Sequence, residues 1–271
     1  MGRSPAIGFE RVDAAARPQG LAAYLELVNE LPAVRAYRER MEQALDLPAG
    51  HRVLDVGCGT GAESARLAAS GLRAVGADLS IDLLAAARRQ RKSGSEGLPV
   101  FTAGNALALP FANAAFDGCR AERVLQHVTD PAAAVAELMR VCRPGRRVVV
   151  SEPDWGTLAV DIDDAALARK VLAAACDLVP QGWIGRRLPG LCRDAGLQDV
   201  TIEAHSLVVE GYATADALFG VASGPLRALD ADRLPPEDVA RWLGALDRRE
   251  QRGPLLASLT GLTASGRVPD R

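Results

Sequence analysis

The 271-residue sequence predicts an α/β protein in which helices cover both faces of a mostly parallel sheet. Two observations lead to this prediction. Between residues 52 and 151, short apolar runs alternate with segments of helical apolar spacing, and glycine or proline turns separate them. Apolar residues make up 48% of the chain and charged residues 24%, which is the composition of a globular protein. The length allows one large domain with appended segments.

Charge and cysteine content exclude several classes of function. The 32 basic and 34 acidic side chains leave a net charge of −2, so no basic excess exists for a nucleic-acid surface. The five cysteines are widely spaced without a C-x-x-C pair, which disfavours a disulfide scaffold or a zinc site, and we expect no bound metal. No apolar run is long enough for a signal peptide or a membrane span. We expect a cytoplasmic protein with no membrane or nucleic-acid partner.

Residues 21–102 are predicted to form N-terminal helices followed by alternating strands and helices. Apolar spacing of three and four over residues 21–47 predicts helices on both sides of Pro32. Ser80 is a suitable N-cap for the helix that follows it. The predicted strands are 52–56, 72–77 and 99–102, and the predicted helices between them are 62–69 and 81–91.

The second half continues the alternation as far as Glu152 and then changes. Pro131 suits the first turn of a helix over 131–141. The predicted strands are 115–120, 147–151, 200–209 and, more weakly, 255–268, and the predicted helical segments are 161–179, 185–195 and 214–250.

The segment VLDVGCGTG, residues 53–61, carries the strongest functional signal. It runs from a strand through a glycine turn into a helix, and Gly57, Gly59 and Gly61 let a ligand approach backbone N–H groups. The helix N-terminus adds a partial positive charge. Asp78 follows the second strand, where a carboxylate can accept hydrogen bonds from the two hydroxyls of a ribose. The pattern therefore predicts a nucleoside-containing ligand.

The same glycines also satisfy the dinucleotide pattern G-x-G-x-x-G/A, with Ala62 in the last place. Asp55, two residues before the first glycine, argues against a diphosphate, since two anions at close range repel by a few kcal/mol. S-adenosylmethionine (SAM) carries an ammonium and a sulfonium group and no phosphate. The sequence thus favours SAM over NAD.

These motifs resemble those of the class I SAM-dependent methyltransferases, in the small-molecule branch called methyltransferase type 11. The matching stretches are VLDVGCGTG, GADLS, GNALALPF, FDGCRAERVLQHV and RVCRPGRRVVVSEPDW, over about residues 50–155. The resemblance implies a Rossmann-like sheet of seven strands in the order 3-2-1-4-5-7-6, with an antiparallel last strand. It also implies an N-terminal helical lid segment at 1–47 and a core at 48–271 with lid insertions near 157–190 and 212–250.

The resemblance assigns a cofactor site with S-adenosylhomocysteine as the product. Asp55 would hold the amino group of SAM, Asp78 the ribose and Leu79 the adenine ring. Asn105 departs from the Asp that the family usually has there, and its carbonyl can still accept from the adenine amino group. The implied cofactor residues are Asp55, Gly57, Gly59, Thr60, Gly61, Asp78, Leu79, Asn105, Ala106, Arg120 and Ala121.

Residues for the acceptor and for acid–base chemistry are predicted at strand ends and on the lid. A base is needed only where the acceptor loses a proton. Glu152, His127 and Glu122 are the candidates, and each also has a structural interpretation. Arg35 or Arg38 would pair with the methionine carboxylate. Tyr24, Tyr37, Trp155, Trp183 and Arg186 are candidate acceptor-binding residues, with core packing or solvated surface as the alternative. His51 and His205 are interpreted as structural or exposed.

The predicted function is methyl transfer from SAM to O, N or C of a small organic acceptor, an intermediate of secondary metabolism. One alternative is a SAM-binding protein of the same fold that catalyses a non-methylating reaction such as cyclisation. A second is an NAD-dependent oxidoreductase. A nucleic-acid methyltransferase is disfavoured by the balanced charge, and an amino-methylating one by the absence of the Asn-Pro-Pro-aromatic motif, since CRAERV follows the fourth strand.

Overall fold

The computed structural model describes residues 18–90 and 98–270, so the first 17 residues of the predicted lid segment lie outside the description. The helices are α1 Pro18–Glu30, α2 Pro32–Leu45, α3 Ala62–Ala69, α4 Ile81–Gln90, α5 Pro131–Val141, α6 Ala165–Cys176, α7 Ile184–Asp194, α8 Tyr212–Phe219, α9 Ser223–Asp230 and α10 Pro236–Gln251. The strands are β1 Arg52–Val56, β2 Arg73–Asp78, β3 Val100–Ala103, β4 Phe116–Glu122, β5 Cys142–Pro153, β6 Ala159–Val160, β7 Gln198–Glu210 and β8 Leu256–Arg267.

The sheet confirms the predicted fold class. Its order is β3-β2-β1-β4-β5-β8, and β7 pairs with the free edge of β8. The first five strands are parallel, whereas β8 runs antiparallel to both β5 and β7. With β7 and β8 as the predicted sixth and seventh strands, this is the predicted order. The predicted count of seven misses β6, which pairs with β8 through two residues only and is too short to show periodicity.

Local chemistry explains where the observed boundaries differ from the predicted ones. The helix predicted from residue 161 begins at Ala165, because the Asp164 carboxylate accepts from the N–H of Leu167 at 3.0 Å and caps it. The helical stretch 214–250 is three helices. Gly220, in the left-handed region at φ 65°, ends α8, and Pro236 lies in the first turn of α10.

Two apolar cores lie on opposite faces of the sheet, as the alternation along β5 requires. Val148 and Val150 point into a core with α5 and α7, whereas Val149 points into a core with α2, α6, α8 and α10. Trp242 of α10 is completely buried in the second core and donates its indole N–H to the carbonyl of Val221 at 2.6 Å. The predicted lid insertion near 157–190 includes the start of α7, and this helix packs against the sheet in the same core as α5.

The N-terminal helices lie over the ends of the central strands and position the site. A Cβ built on Gly59 would lie 3.3 Å from Leu25 of α1. Arg38 of α2 reaches Glu122 at the end of β4. Among the described helices, none combines the length and apolar character needed to cross a bilayer. The division into lid and core segments stays a prediction.

Candidate active site

The glycine turn after β1 is fixed by backbone hydrogen bonds and by close packing. Gly57 donates its N–H to the carbonyl of Ala77 at 2.7 Å, and Gly59 donates to the Asp78 carboxylate at 2.8 Å. The φ angles of Gly57, Gly59 and Gly61 are 71°, 54° and 77°. A Cβ on Gly57 would stand 2.3 Å from Cγ2 of Val124, so glycine is required there by space as well as by conformation.

The end of β2 forms an open edge with the end of β3. The second oxygen of Asp78 accepts from the N–H of Ser80 at 2.9 Å. Next to it, the large apolar side chains of Leu79 and Ile81 are 48% and 55% exposed. Across this edge, Oδ1 of Asn105 accepts from the N–H of Leu107 at 2.9 Å. The two strand ends meet where Gly104 donates its N–H to the carbonyl of Asp78 at 3.0 Å. That Asp78, Leu79, Asn105 and Ala106 line one ligand stays a prediction, since none of them lines the two cavities described below.

A buried ionic cluster lies behind the turn. The guanidinium of Arg120 is completely buried, 3.4 Å from Asp55 and 2.6 Å from Glu122, and it also pairs with Glu63. Burial raises the pKa of Asp55 to about 6, against the opposing charge of Arg120. Asp55 therefore does not present a lone negative charge to the ligand, because Arg120 neutralises part of that charge from behind.

Arg38 of α2 joins this cluster from the opposite side. Its Nε lies 3.0 and 2.8 Å from the two oxygens of Glu122, and its Nη1 donates to the side chain of Asn29 at 2.7 Å. Although burial opposes it, the charges of Arg38 and Arg120 hold the pKa of Glu122 well below its ordinary value. Glu122 is therefore an ionised, fully paired group.

The glycine-turn cleft, of about 390 Å³, lies between α1, α2 and the turn. Part of this space is open to solvent. The residues that line it are Leu25, Asn29, Arg38, Asp55, Gly57, Cys58, Gly59, Thr60, Ala62, Glu63, Glu122 and Arg123.

A second cavity, the His205 cavity, adjoins this cleft at Arg123 and has a volume of about 270 Å³. Tyr37 stands on the border, because its hydroxyl donates to Glu122 while its ring stacks on His205 with centroids 4.0 Å apart. The lining residues come from α2 and from β4, β5, β7 and β8 or the residues next to them: Tyr37, Arg123, Ser151, Glu152, Pro153, His205, Leu207, Leu259 and Gly261.

Glu152, one of the acid–base candidates, lines this second cavity and also holds the chain after β4. Its carboxyl accepts from the N–H groups of Val124 at 2.7 Å and Leu125 at 2.6 Å. Burial raises its pKa to about 8 despite these donors. His127, the other candidate besides Glu122, lines neither cavity, and burial followed by the charge of Arg123 lowers its pKa to about 3.

The predicted acceptor residues divide into two groups. Tyr37 lines the His205 cavity, and the hydroxyl of Tyr24 accepts from Arg123 at 3.2 Å. Trp155, Trp183 and Arg186 line neither cavity. The indole of Trp155 donates to Gln126, and Arg186 stacks on the exposed Trp183 and pairs with Asp154. Of the two arginines proposed for the methionine carboxylate, Arg38 lines the cleft and Arg35 forms an exposed pair with Glu30.

Sequence reasoning missed Arg123 and His205 as cavity residues. Arg123 has φ 57°, an unusual left-handed conformation that no pattern in the sequence indicates. A signal for His205 does exist, because it has the same parity in β7 as Leu207 and Val209, which face the core beneath α2.

Comparisons with known proteins agree with this geometry. A family model described as a methyltransferase domain matches residues 54–150. An uncharacterized 37.1 kDa protein in transposon TN4556 of Streptomyces fradiae is 37% identical over 245 residues, which cover 88% of this chain and 68% of that protein. The demethylmenaquinone methyltransferase of Beutenbergia cavernae is 36% identical over 149 residues, which cover 53% of this chain and 60% of that enzyme.

Among solved structures, phosphoethanolamine N-methyltransferase 2 of Haemonchus contortus, in complex with S-adenosyl-L-methionine, superposes with a TM-score of 0.62 at 16% identity. That match covers 97% of this chain and 60% of the other. The sheet order and the glycine turn beside Asp78 define a Rossmann-like domain, and the family model describes residues 54–150 of it as a methyltransferase domain. The chain belongs to the class I SAM-dependent methyltransferases.

Proposed function

We propose that this protein binds SAM in the glycine-turn cleft and transfers its methyl group to a small organic acceptor. The observation that carries the proposal is the contact between Asp78 and Gly59, whose N–H donates to the carboxylate at 2.8 Å. This contact joins the acidic end of β2 to Gly59, which lines the cleft. The same edge presents the exposed Leu79 and Ile81, which form a surface suited to a flat base.

The residues present fit this cofactor. Gly57 lines the cleft with its backbone, since Val124 fills the place that a side chain would take, and this backbone would contact the methionine part. Asp78 would take the ribose hydroxyls and Leu79 the adenine ring. Arg38 lines the cleft and has Nη2 free of hydrogen bonds within the described residues, so it can pair with the methionine carboxylate. When bound, SAM supplies a methyl carbon activated by a sulfonium.

The task left to the protein is to align the acceptor and exclude water. The acceptor would approach at the carboxyl ends of β4 and β5, where ligands bind in open α/β sheets. Arg123 lines both this region and the cleft, and the helices α1 and α2 supply residues to the cleft wall. A small acceptor fits this enclosed space better than a macromolecule does.

Calorimetry with the full chain tests the cofactor assignment. SAM and S-adenosylhomocysteine are expected to bind, whereas NADH is not. Asp78→Asn is expected to raise the SAM dissociation constant by about 10- to 100-fold, since hydrogen bonds to charged groups contribute about 1.5–3 kcal/mol. Asp82→Asn, on the exposed first turn of α4, is the matched control and is expected to bind as wild type does.

A second assay separates methyl transfer from the non-methylating alternative. The chain is incubated with methyl-labelled SAM and a panel of small hydroxyl, amine and carbon acceptors. Label in the acceptor together with S-adenosylhomocysteine supports the proposal. SAM binding without any release of S-adenosylhomocysteine favours the cyclase-type reaction, and tight NADH binding with no SAM signal rejects the cofactor assignment altogether.

A further inference from the structure

The sheet has two long-sided edges, formed by β3 and β7, and these edge strands differ in length. β3 has four residues, whereas β7 has 13, and β7 pairs with β8 alone. Within the part of the chain that the structure describes, no strand pairs with the outer edge of β7. Every second N–H and C=O group along β7 therefore points away from the sheet, and a further strand can complete this ladder.

One face of β7 is also left bare beside this free edge. Near the start of the strand, Ile202 packs in the core that contains α5 and α7. Further along the same face, Ala204, Ser206 and Val208 are exposed, and Val208 is 58% exposed despite its apolar side chain. The opposite face is covered, because Val209 is buried in the core with α2. The second half of β7 therefore lacks a neighbour both at its edge and on one face.

Features that hinder strand pairing flank the exposed stretch and do not interrupt it. Natural edge strands are commonly protected by charged side chains, proline or bulges. The pairing of β7 with β8 is irregular between Gln198 and Thr201. Glu203 and Glu210 enclose six residues without a carboxylate, guanidinium or ammonium group, and Glu203 is itself paired with Arg40 of α2 at 3.2 Å. The stretch between the two glutamates is therefore open to pairing.

A strand of a second copy is the occupant that these features favour. Two copies of one edge strand can pair antiparallel across a two-fold axis, and each copy then supplies the donors and acceptors that the other lacks. The regular ladder of β7 with β8 runs from Thr201 to Glu210, so Ser206 lies near its middle. A two-fold axis at Ser206, perpendicular to the sheet, keeps the covered faces of the two copies on the same side.

The side chains are complementary in this register. Ala204 would lie opposite Val208 of the second copy, so that a small side chain meets a large one and Val208 is covered. Glu210 would lie opposite Ile202 of the second copy, and no two carboxylates would be opposed. An axis at His205 is less favourable, since it would place two imidazoles opposite each other and leave the small Ala204 without a large partner.

We propose that the chain forms a homodimer in which the two β7 strands pair antiparallel about Ser206 and join the two sheets into one. The interface consists of this backbone ladder and of the strip of uncharged side chains beside it. The inference does not depend on the proposed methyl transfer, because no residue of β7 lines the glycine-turn cleft.

Sedimentation velocity of the full chain measures the association. Wild type is expected to sediment at twice the 28.5 kDa of one chain. Val208→Lys places an ammonium group of each copy in the interface and is expected to raise the dimer dissociation constant by at least about 100-fold. Val100→Lys is the matched control, because Val100 is 57% exposed in the other edge strand, β3. The control is expected to change the dissociation constant by less than about threefold.

Disulfide cross-linking tests the register. In the proposed pairing the two Ser206 Cα atoms lie about 4.5–5.5 Å apart, a distance that a disulfide spans. Ser206→Cys is therefore expected to give a covalent dimer when air and copper phenanthroline serve as the oxidant. Ala204→Cys is the matched control and is expected to stay uncross-linked, since Ala204 and its copy would be four residues apart along the strands. The five native cysteines are buried and do not compete.

The outcomes separate this inference from the proposed function. A monomeric wild type, or a dimer that Val208→Lys leaves intact, would reject the interface, and a cross-link through Ala204→Cys alone would reject the register. In a monomer, slow hydrogen exchange of the outward N–H groups of β7 would mean that another segment of the same chain covers the edge, which also rejects the second copy. A dimer without SAM affinity would leave this inference standing, and a monomer that binds SAM would leave the proposed function standing.

Discussion

The glycine-turn cleft and the His205 cavity share Arg123 as a wall, and their linings differ in charge. The cleft is lined by Asp55, Glu63 and Glu122, and the buried guanidinium of Arg120 contacts all three carboxylates. The cavity has apolar walls and, apart from Arg123 at the border, its titratable groups Glu152 and His205 have pKa values that burial shifts towards the uncharged form.

This difference matches the chemistry that we propose for the cleft. A zwitterionic, cationic cofactor needs fixed charges of both signs, and a buried network holds these charges without rearrangement when the ligand binds. The apolar walls of the His205 cavity suit an uncharged group instead.

The largest effect is expected from removing Arg120, the centre of the buried ionic cluster. Arg120→Met leaves three carboxylates buried without their common partner, so we expect the free energy of unfolding to fall by about 3–5 kcal/mol. Urea unfolding measures this loss. Arg35→Met is the matched control, because Arg35 also pairs with a glutamate but is 56% exposed, and a change below about 1 kcal/mol is expected. A similar small loss in both variants would show that the cleft network is not a stabilising feature.

A pH series tests whether the cavity is uncharged. The pKa of Glu152 is raised from its ordinary 4.5 to about 8 by burial, so between these values the folded chain keeps a proton that the unfolded chain has lost. The unfolding free energy of wild type, relative to Glu152→Gln, is therefore expected to fall by a few kcal/mol as the pH rises from about 4.5 to about 8.

Urea unfolding at several pH values measures this difference. Glu26→Gln, which alters an exposed carboxyl of α1, serves as the control and should run parallel to wild type. If Glu152→Gln also runs parallel, Glu152 is ionised in the folded chain, and the cavity is then charged like the cleft.

Sequence patterns predicted the parts of the site that are local in the chain. The strand, turn and helix at 52–69 lie where VLDVGCGTG indicates, because glycine conformations and apolar runs act over a few residues. The helix Pro131–Val141 was also predicted at both ends, with Pro131 as the signal for its start. The structure adds a cap, because the Asp130 carboxylate accepts from the N–H of Ala133.

The charge network and the second cavity depend on contacts that the sequence does not record. Arg120 meets Glu63 across 57 positions, and His205 meets Tyr37 only because β7 adds to the edge of β8 beneath α2. Apolar periodicity predicts which face of an element is buried, but it does not predict which buried polar groups will meet. The family resemblance placed Arg120 near the cofactor and gave no indication of His205.

A pair of glycine variants tests whether SAM lies against the glycine turn. Gly57→Ala and Gly50→Ala both place alanine at a left-handed φ, 71° and 84°, but only at Gly57 would the new Cβ collide with Val124. We expect a loss of about 1 kcal/mol at Gly50 and about 1–3 kcal/mol more at Gly57. Urea unfolding and SAM calorimetry measure both. Only Gly57→Ala should weaken SAM binding, and equal SAM affinity in the two variants would move the cofactor away from this turn.

The smallest effect is expected at the outer edge of the cofactor site, where water screens charge. Asn105→Asp keeps the acceptor that Leu107 uses at 2.9 Å and adds a negative oxygen, which would strengthen a hydrogen bond from the adenine amino group. Because Asn105 is exposed, calorimetry should give a gain in SAM affinity of less than about tenfold.

Asn113→Asp is the control for this change, since Asn113 is exposed, accepts from Arg140 and lies outside the cleft. It should leave SAM affinity unchanged. A weaker affinity in Asn105→Asp would mean that the ligand presents an acceptor, and not a donor, to this position. The adenine would then be recognised through a different edge. Asp78 would be the outermost residue of the cofactor site, and Asn105 would lie outside that site.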